Sequence, residues 1–513
     1  MITSMESHCL PFREVPHTTE LFSTFLEAFD RVASYYSHPP NAQGILDSAR
    51  EVQLDAETRR GVMEILREQN ARFGAGEDVK ASLDRLAAGA VAIVTGQQVG
   101  LFSGPLYSFF KAVSAIRFAK EITRRGVDAV PVFWLATEDH DLAEVDHSFW
   151  KTRSGLARYE LPHTAEIEGR RVGEIPFGPP IEAICEQASA SLDGPAAGRV
   201  AAALRESYTP SDTYGSAFGK LMTRVLAGRG LIFIDPLDAR LHRFASRVFR
   251  RALHDADDIR GALEARSKEL EAGGYHAQVK VAPGSTLLFF NVGGRRQPVR
   301  TQNGKFVAGE SEFSLDDLHA AIESTPEAVT PSVLLRPVVQ DALLPTAAYI
   351  GGPAEVAYFA QAQVVYKKIL GRMPAILPRS SFTLVEPPVA RVLSKYGLDL
   401  RDVFRGPQHI RAVMEQKAIP SALARRFDAD EDTLRAILKS YRDPIEKLDP
   451  TLLGTLEGIE EKMLYQLTKL KEKVGRAENF RTGVLDDHQS AVFDSLYPNH
   501  ELQERSLSAL PFL

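Results

Sequence analysis

Along residues 20–36, 55–73 and 78–88 apolar side chains recur every three or four positions, the spacing that gathers them on one face of a half-buried helix. The rhythm then changes. Val91–Val94 is a short β-branched run ending in Thr95-Gly96, and a helix is expected from near Pro105, whose missing N–H has no partner at a first helical position anyway. The same order of strand, loop and helix returns at Val130–Ala136, at Leu231–Ile234 with Asp235-Pro236 expected to open a helix, and at Ala347–Ile350 before a helix through Lys368. A further strand is expected at Ala375–Leu377. Strands that alternate with helices predict a mostly parallel sheet covered on both faces, because parallel neighbours need long crossovers. The core therefore reads as a doubly wound α/β fold in three pieces, 1–150, 212–256 and 331–386. Two insertions, about 151–211 and about 257–330, separate them and mix turn dipeptides with strand-like runs such as Thr286–Val292.

From about Pro387 to the last residue, 387–513, the pattern is helical. Leu456, Ile459, Met463, Leu467, Leu470 and Val474 step by three and four among charged residues, which is a short coiled-coil seam. Asp449-Pro450 upstream offers a cap and a first helical position, predicting two consecutive helices that meet there. A seam of about three heptads suits an intramolecular hairpin as well as a dimer contact, and both readings stay open.

Length and charge narrow the class. The 513 residues exceed one ordinary domain, and a formal charge of −6 offers no basic surface to a phosphate backbone, so nucleic acid is disfavoured. No stretch approaches the roughly 18 consecutive apolar residues of a membrane span. Glu6, His8, Arg13 and Glu14 break up the N-terminus where an export signal needs an apolar run. Cys9 and Cys185 are too few to staple the chain or build a thiolate cluster, which points to a reducing compartment; a cytoplasmic protein is expected. Cys185 has no histidine nearby and reads as an inert thiol.

In open α/β sheets ligands bind beyond the carboxyl ends of the strands, near the point where strand order reverses. Four loops deserve attention on that rule. Thr95–Pro105 carries three glycines that allow close backbone approach, amides on Gln97 and Gln98, and a following helix whose free N–H groups suit an anion. Its spacing is neither a P-loop nor a dinucleotide fingerprint, and a tight turn explains the glycines equally. After the second strand, Glu138, Asp139, His140 and Asp141, with Asp146 and His147 beyond, can supply a general base, a proton shuttle or ligands for a hard metal ion. The alternative is a solvated loop in which Asp141 caps a helix from Leu142. At Tyr349–Glu355 a diglycine precedes Pro353, with Arg336, Gln340 and Asp341 upstream, where a buried Arg336–Asp341 pair is the structural alternative. Pro378-Arg379-Ser380-Ser381 joins a cation to two hydroxyls. Asp235 faces the crevice or serves as a cap.

The blocks TGQQVGLFSGPLYSFFKAVSAI from Thr95, PVFWLATEDHD from Pro131, LLPTAAYIGGPAEVAYFAQ from Leu343 and MPAILPRSSFTLVEP from Met373 resemble, in order and spacing, the bacillithiol biosynthesis cysteine-adding enzymes. The resemblance implies a Rossmann-like core, two connecting-peptide insertions and a C-terminal coiled-coil domain that forms a homodimer. It also implies joining L-cysteine to glucosaminyl malate through an amide between the cysteine carboxyl and the sugar amine. Such a carboxyl must be activated, so ATP or another phosphoryl or adenylyl donor is the chemical expectation; no metal is firmly implied. Neither the H-x-G-H nor the K-M-S-K-S-like signature of class I synthetases and adenylyl transferases occurs, and Gly96–Gly100 stands where the first would fall.

On this reading Thr95, Gly96, Gln97, Gln98, Gly104, Tyr349, Gly351, Gly352 and Pro353 position a substrate carboxylate or phosphate. Arg379 and Ser380 meet negative charge, and Glu138, Asp139 or His140 deprotonates the attacking amine. All of it requires the four loops to converge on one crevice. A nucleotide-dependent oxidoreductase on the same fold would want a G-x-G-x-x-G after a strand, which is missing. A non-catalytic ligand-binding dimer would have no use for polar groups gathered at strand ends.

Overall fold

β1 (Val91–Gln97), β2 (Ala129–Leu135), β3 (Ile232–Ile234), β4 (Thr346–Gly351) and β5 (Ala375–Pro378) form one sheet in the order β5-β4-β1-β2-β3, every neighbour parallel. The chain walks outward from β1 to β3, then returns to lay β4 against the other side of β1. This is the Rossmann-like doubly wound arrangement, and β1/β4 is its switch point. Here Thr95 Oγ1 donates to the Ile350 carbonyl at 2.8 Å, tying the two strands together near their carboxyl ends.

Side-chain alternation explains why these runs are apolar throughout. Ala92 and Val94 of β1, with Val130, Val132 and Trp134 of β2, enter one core, where Leu241, Ala245 and Phe249 of the helix Ala239–His254 join them. Val91 and Ile93 point to the opposite face, against Ala115, Ala119 and Ile122 of the helix Leu106–Arg124. Both faces are dry, so neither strand can afford a polar alternate position. We label the helices that serve the site α1 (Leu106–Arg124), α2 (Ala239–His254) and α3 (Pro353–Ile369).

Computed as a structural model, the chain is described over residues 6–419 and 421–513. It divides into two compact units, one running up to Phe382 and including Glu504–Leu513, the other Thr383–Gln503. In the first unit the segment between β2 and β3 holds an antiparallel hairpin, His147–Thr152 with Gly155–Glu160, and the helices Pro180–Ala190 and Ala197–Ser207. Between β3 and β4 lies a separate antiparallel sheet of five strands, in the order Val329–Pro331, Ser285–Val292, Arg295–Gln302, Lys305–Ala308 and Ser311–Phe313. The second unit packs Val389, Tyr396, Ile410 and Met414 against Leu485, Val492 and Leu496. Between these core segments the helices Ser421–Ser440 and Leu453–Thr482 run antiparallel, joined by Lys471–Asp428 (2.8 Å) and Arg435–Glu460 (3.2 Å) ion pairs. Asp449 caps the turn between them by accepting from Thr451 N at 2.9 Å.

Two helix starts differ from expectation. α2 opens at Ala239, capped by Asp238 through Arg240 N, not at Asp235-Pro236. Asp235 instead accepts from Thr137 Oγ1 at 2.5 Å and from Leu237 N at 3.1 Å, because the loop after β2 needs a buried acceptor there. Asp141 caps nothing: Leu142–Glu144 is one 3-10 turn without a side-chain cap. Among the described residues no helix is long and apolar enough to cross a membrane.

Candidate active site

Beyond the carboxyl ends of β1, β2 and β4 opens a cavity of about 690 Å³, within the range of small-molecule sites. Gly96, Gln97, Gln98, Glu138, Asp139, Tyr349, Gly352, Pro353 and Arg379 all line it, so segments far apart in sequence do meet in one crevice. Thr95, Gly104, Gly351, Ser380 and His140 are not among its lining residues. Thr95 bridges the strands, Gly351 O accepts from Arg379 N at 2.8 Å, and Ser380 N donates to Ser114 Oγ at 3.0 Å. Gly104 turns the loop back on itself with φ 63° and ψ −162°, a conformation open essentially to glycine alone.

Lys111 was not singled out by sequence reading and lies at the centre of the site. It is the only charged residue in the first two turns of α1, amid apolar neighbours, and that isolation was the available signal. Its ammonium donates to Gly96 O (2.8 Å) and Gln97 Oε1 (2.7 Å) and pairs with Glu355 Oε2. The three donors are thereby used, and the Gln97 amide is fixed with its NH₂ toward Tyr107 Oη at 3.3 Å. Burial pushes the Lys111 ammonium down to about 8 although the Glu355 carboxylate opposes it. Glu355 also accepts from Gly352 N (2.8 Å) and Tyr349 Oη (2.6 Å), closing the N-terminus of α3.

The acidic loop is held from two sides. Val172 N and Gly173 N, in the first insertion, donate to Asp139 O (2.7 Å) and Thr137 O (3.0 Å). From the second insertion comes Arg296, stacked on Phe289 at 3.8 Å and bonded to Thr330 Oγ1 (3.0 Å) and Pro331 O (2.7 Å). Its Nη1 stands 3.3 Å from His140 Nδ1. Asp139 has both oxygens engaged, Oδ2 by Gln98 Nε2 at 2.9 Å and Oδ1 by His140 N at 2.8 Å. Burial raises its proton affinity, but the His140 ring, Gln98, the His140 N–H and the Arg296 charge outweigh burial and hold the carboxyl well below its ordinary range. Such a group is a weak base.

Glu138 is different. It is buried, its Oε1 lies 3.1 Å from His242 Nε2, and that N–H is directed at the Pro236 carbonyl, 2.8 Å away. Among the described residues Glu138 Oε1 therefore accepts no aligned hydrogen bond, and Trp134 Nε1, equally buried, donates none; Glu138 Oε2 has no hydrogen bond either and is not among the buried atoms. Buried polar atoms left without partners are rare enough to call for an explanation.

The walls are strongly cationic: Lys111, Lys280, Arg296, Arg300, Arg336, Arg379 and Arg505 face three carboxylates, Glu138, Asp139 and Glu355. Not all are available. Arg379 is locked by Glu504 in a two-pronged pair at 2.7 and 2.8 Å, both side chains 5% exposed. Arg336 is held by Gln340 and the hydroxyls of Tyr349 and Tyr358, while Asp341 turns to Gln340 and Tyr366. The alternative Arg336–Asp341 pair does not form, because Gln340 stands between them, accepting from Arg336 at 3.2 Å and donating to Asp341 at 2.9 Å. Lys280 and Arg300 form no ion pair among the described residues. Cys185 is buried at Tyr208 O, and burial pushes its thiol up to about 12, as fits an inert group. No cluster of three metal-ligating side chains occurs among the described residues.

A Rossmann-like protein with an anion-attracting small-molecule cavity at its switch point is the class that this fold and site define. The chain belongs to the BshC family of bacillithiol biosynthesis: the family's N-terminal Rossmann-like domain matches residues 5–380 and its C-terminal coiled-coil domain residues 382–513. It is 42% identical over 506 residues to a protein of Koribacter versatilis (strain Ellin345) named "Putative cysteine ligase BshC", covering 98% of this chain and 94% of that one. Proteins with the same name in Solibacter usitatus (strain Ellin6076) and Salinibacter ruber (strain DSM 13855 / M31) are 35% and 30% identical over 519 residues each. Those matches cover 99% and 100% of this chain and 95% and 94% of theirs.

Proposed function

We propose that this chain is a ligase that joins L-cysteine to glucosaminyl malate, forming the amide between the cysteine carboxyl and the sugar amine during bacillithiol biosynthesis. The names of its relatives and the cationic cavity support this reading, since every partner in the reaction carries carboxylate or phosphate. The observation that carries the mechanism is Glu138 on the cavity wall, a carboxylate whose Oε1 is paired with His242 at 3.1 Å and whose Oε2 takes no hydrogen bond among the described residues. An amine attacks only when neutral, and Glu138 is the lining carboxylate with an oxygen left to take its proton. Asp139, Gln98 and Gln97 then serve as fixed hydrogen-bonding groups rather than bases. Lys280 and Arg300 are the cations best able to meet a substrate carboxylate or the phosphates of ATP or a similar donor. That donor supplies the activation of the cysteine carboxyl. The protein works as a homodimer through its C-terminal helices.

Purified protein incubated with cysteine, glucosaminyl malate and ATP, followed by mass analysis, should yield the amide. In single-turnover experiments Glu138→Gln should slow amide formation by about 100-fold or more, the usual worth of a positioned base. Full activity in that variant would remove Glu138 from the reaction.

A further inference from the structure

We infer that His242 is a positioning residue that stands behind Glu138 as a doubly protonated imidazolium and holds its Oε1, which leaves Oε2 as the acceptor. The inference rests on Glu138 being the proton acceptor.

His242 lies on α2, 3% exposed, and does not line the main cavity. Its Nδ1 is 3.0 Å from Val329 O and its Nε2 2.8 Å from Pro236 O. Carbonyl oxygens only accept, so each ring nitrogen must carry a hydrogen, and the ring is a cation. Three elements hold it: α2, the loop after β3 and the strand Val329–Pro331. Burial alone would favour the neutral ring; contact with Glu138 and the two carbonyls reverses that and raises its proton affinity. The geometry leaves the imidazolium charge 3.1 Å from Glu138 Oε1, a fully buried atom, while Oε2 takes no hydrogen bond among the described residues. A carboxylate so placed stays fixed beside a buried cation and still has a free acceptor for a substrate proton.

Other charges face Glu138 as well. Arg296 reaches it from the strand Arg295–Gln302, Asp235 from the loop after β3, and Asp139 from its own loop. Removing the His242 charge leaves Glu138 with one cation fewer against the same two carboxylates and nothing to fix its Oε1.

The test is a double-mutant cycle read by kcat, by KM and by NMR. His242→Asn should lower kcat by about tenfold and leave KM within about twofold, because Glu138 loses its fixed orientation while the cavity's other substrate contacts stay. In a Glu138→Gln background the same substitution should change kcat by less than about twofold, since the group it acts through is gone. Equal losses in both backgrounds, or a loss that falls on KM and not on kcat, would overturn the inference. Should Glu138→Gln alone retain full activity, the base assignment fails instead, whatever His242 does. Against the chance that His242→Asn does not fold, ¹⁵N spectra of the intact histidine-labelled protein at neutral pH should show both His242 nitrogens protonated. A single-proton tautomer there sinks the proposal without any variant.

Discussion

At the residue scale the site is a set of charges whose partners decide what each can do. Lys111 and Glu355 are the clearest case, since their side chains are only 3% and 16% exposed and each is the other's counter-ion. Lys111→Met strands the Glu355 carboxylate and should cost about 3–5 kcal/mol by denaturant titration, whereas Lys111→Met with Glu355→Gln should cost clearly less than the sum of the single changes. The pair also imposes a pH dependence. Lys111 titrates near 8 in the folded protein and near 10.5 when unfolded, so between those values the unfolded chain holds a proton that the native state has released. Its contribution to stability therefore rises with pH across that window, and the double variant should lose this slope. Glutamines, glycines and acidic groups at strand ends were readable from the sequence because the switch-point rule says where to look. Lys111, Arg296 and His242 were not, since each reaches the site from a helix or an insertion that local patterning cannot orient.

Elements were more legible than their ends. The five core strands fall where the β-branched runs put them, because a strand buried on both faces has to be apolar at every position, and few other structures ask for that. β1 nonetheless runs on through Thr95-Gly96 to Gln97, since parallel pairing with β2 continues to Leu135 and backbone hydrogen bonds do not depend on side-chain type. Asp235-Pro236 and Asp238-Ala239 are rival helix openings three residues apart, and Asp235 is taken out of the contest by Thr137, from another strand end, and by Leu237 N. The Gly100–Gly104 turn carries its own prediction. A Cβ on Gly100 would lie 2.9 Å from Gly104 Cα, and Phe102 and Ser103 already have φ of 52° and 74°. The turn is strained and keyed to glycine. Gly104→Ala should cost about 1–3 kcal/mol in thermal or chemical unfolding. It should also weaken substrate binding more than kcat, because the loop places Gln97 and Gln98 without touching the proton acceptor. A loss confined to kcat would contradict that division.

For the molecule as a whole, long-range return of the chain escapes sequence patterning. The second insertion looks like a connector in one dimension, yet it supplies Lys280, Arg296 and Arg300 to the cavity, and Glu504, close to the C-terminus, fixes Arg379 from the opposite end of the chain. The helical hairpin of the second unit poses the last question at this scale. Leu456, Leu467 and Val474 are partly covered within their own unit, while Ile459, Met463 and Leu470, on the adjoining stripe of the same helix, remain 45%, 46% and 52% exposed. The seam legible in the sequence is thus two stripes, one spent on the hairpin and one left open. Each large apolar side chain is worth about 1.5–3 kcal/mol when buried, and a two-fold axis would bury the open stripe of both copies at once. Wild-type protein should therefore sediment as a dimer at micromolar concentration, and Met463→Glu with Leu470→Glu should sediment as a monomer that keeps its helical circular dichroism. A monomeric wild type, or a double variant that remains dimeric, would mean that this stripe does not join two copies.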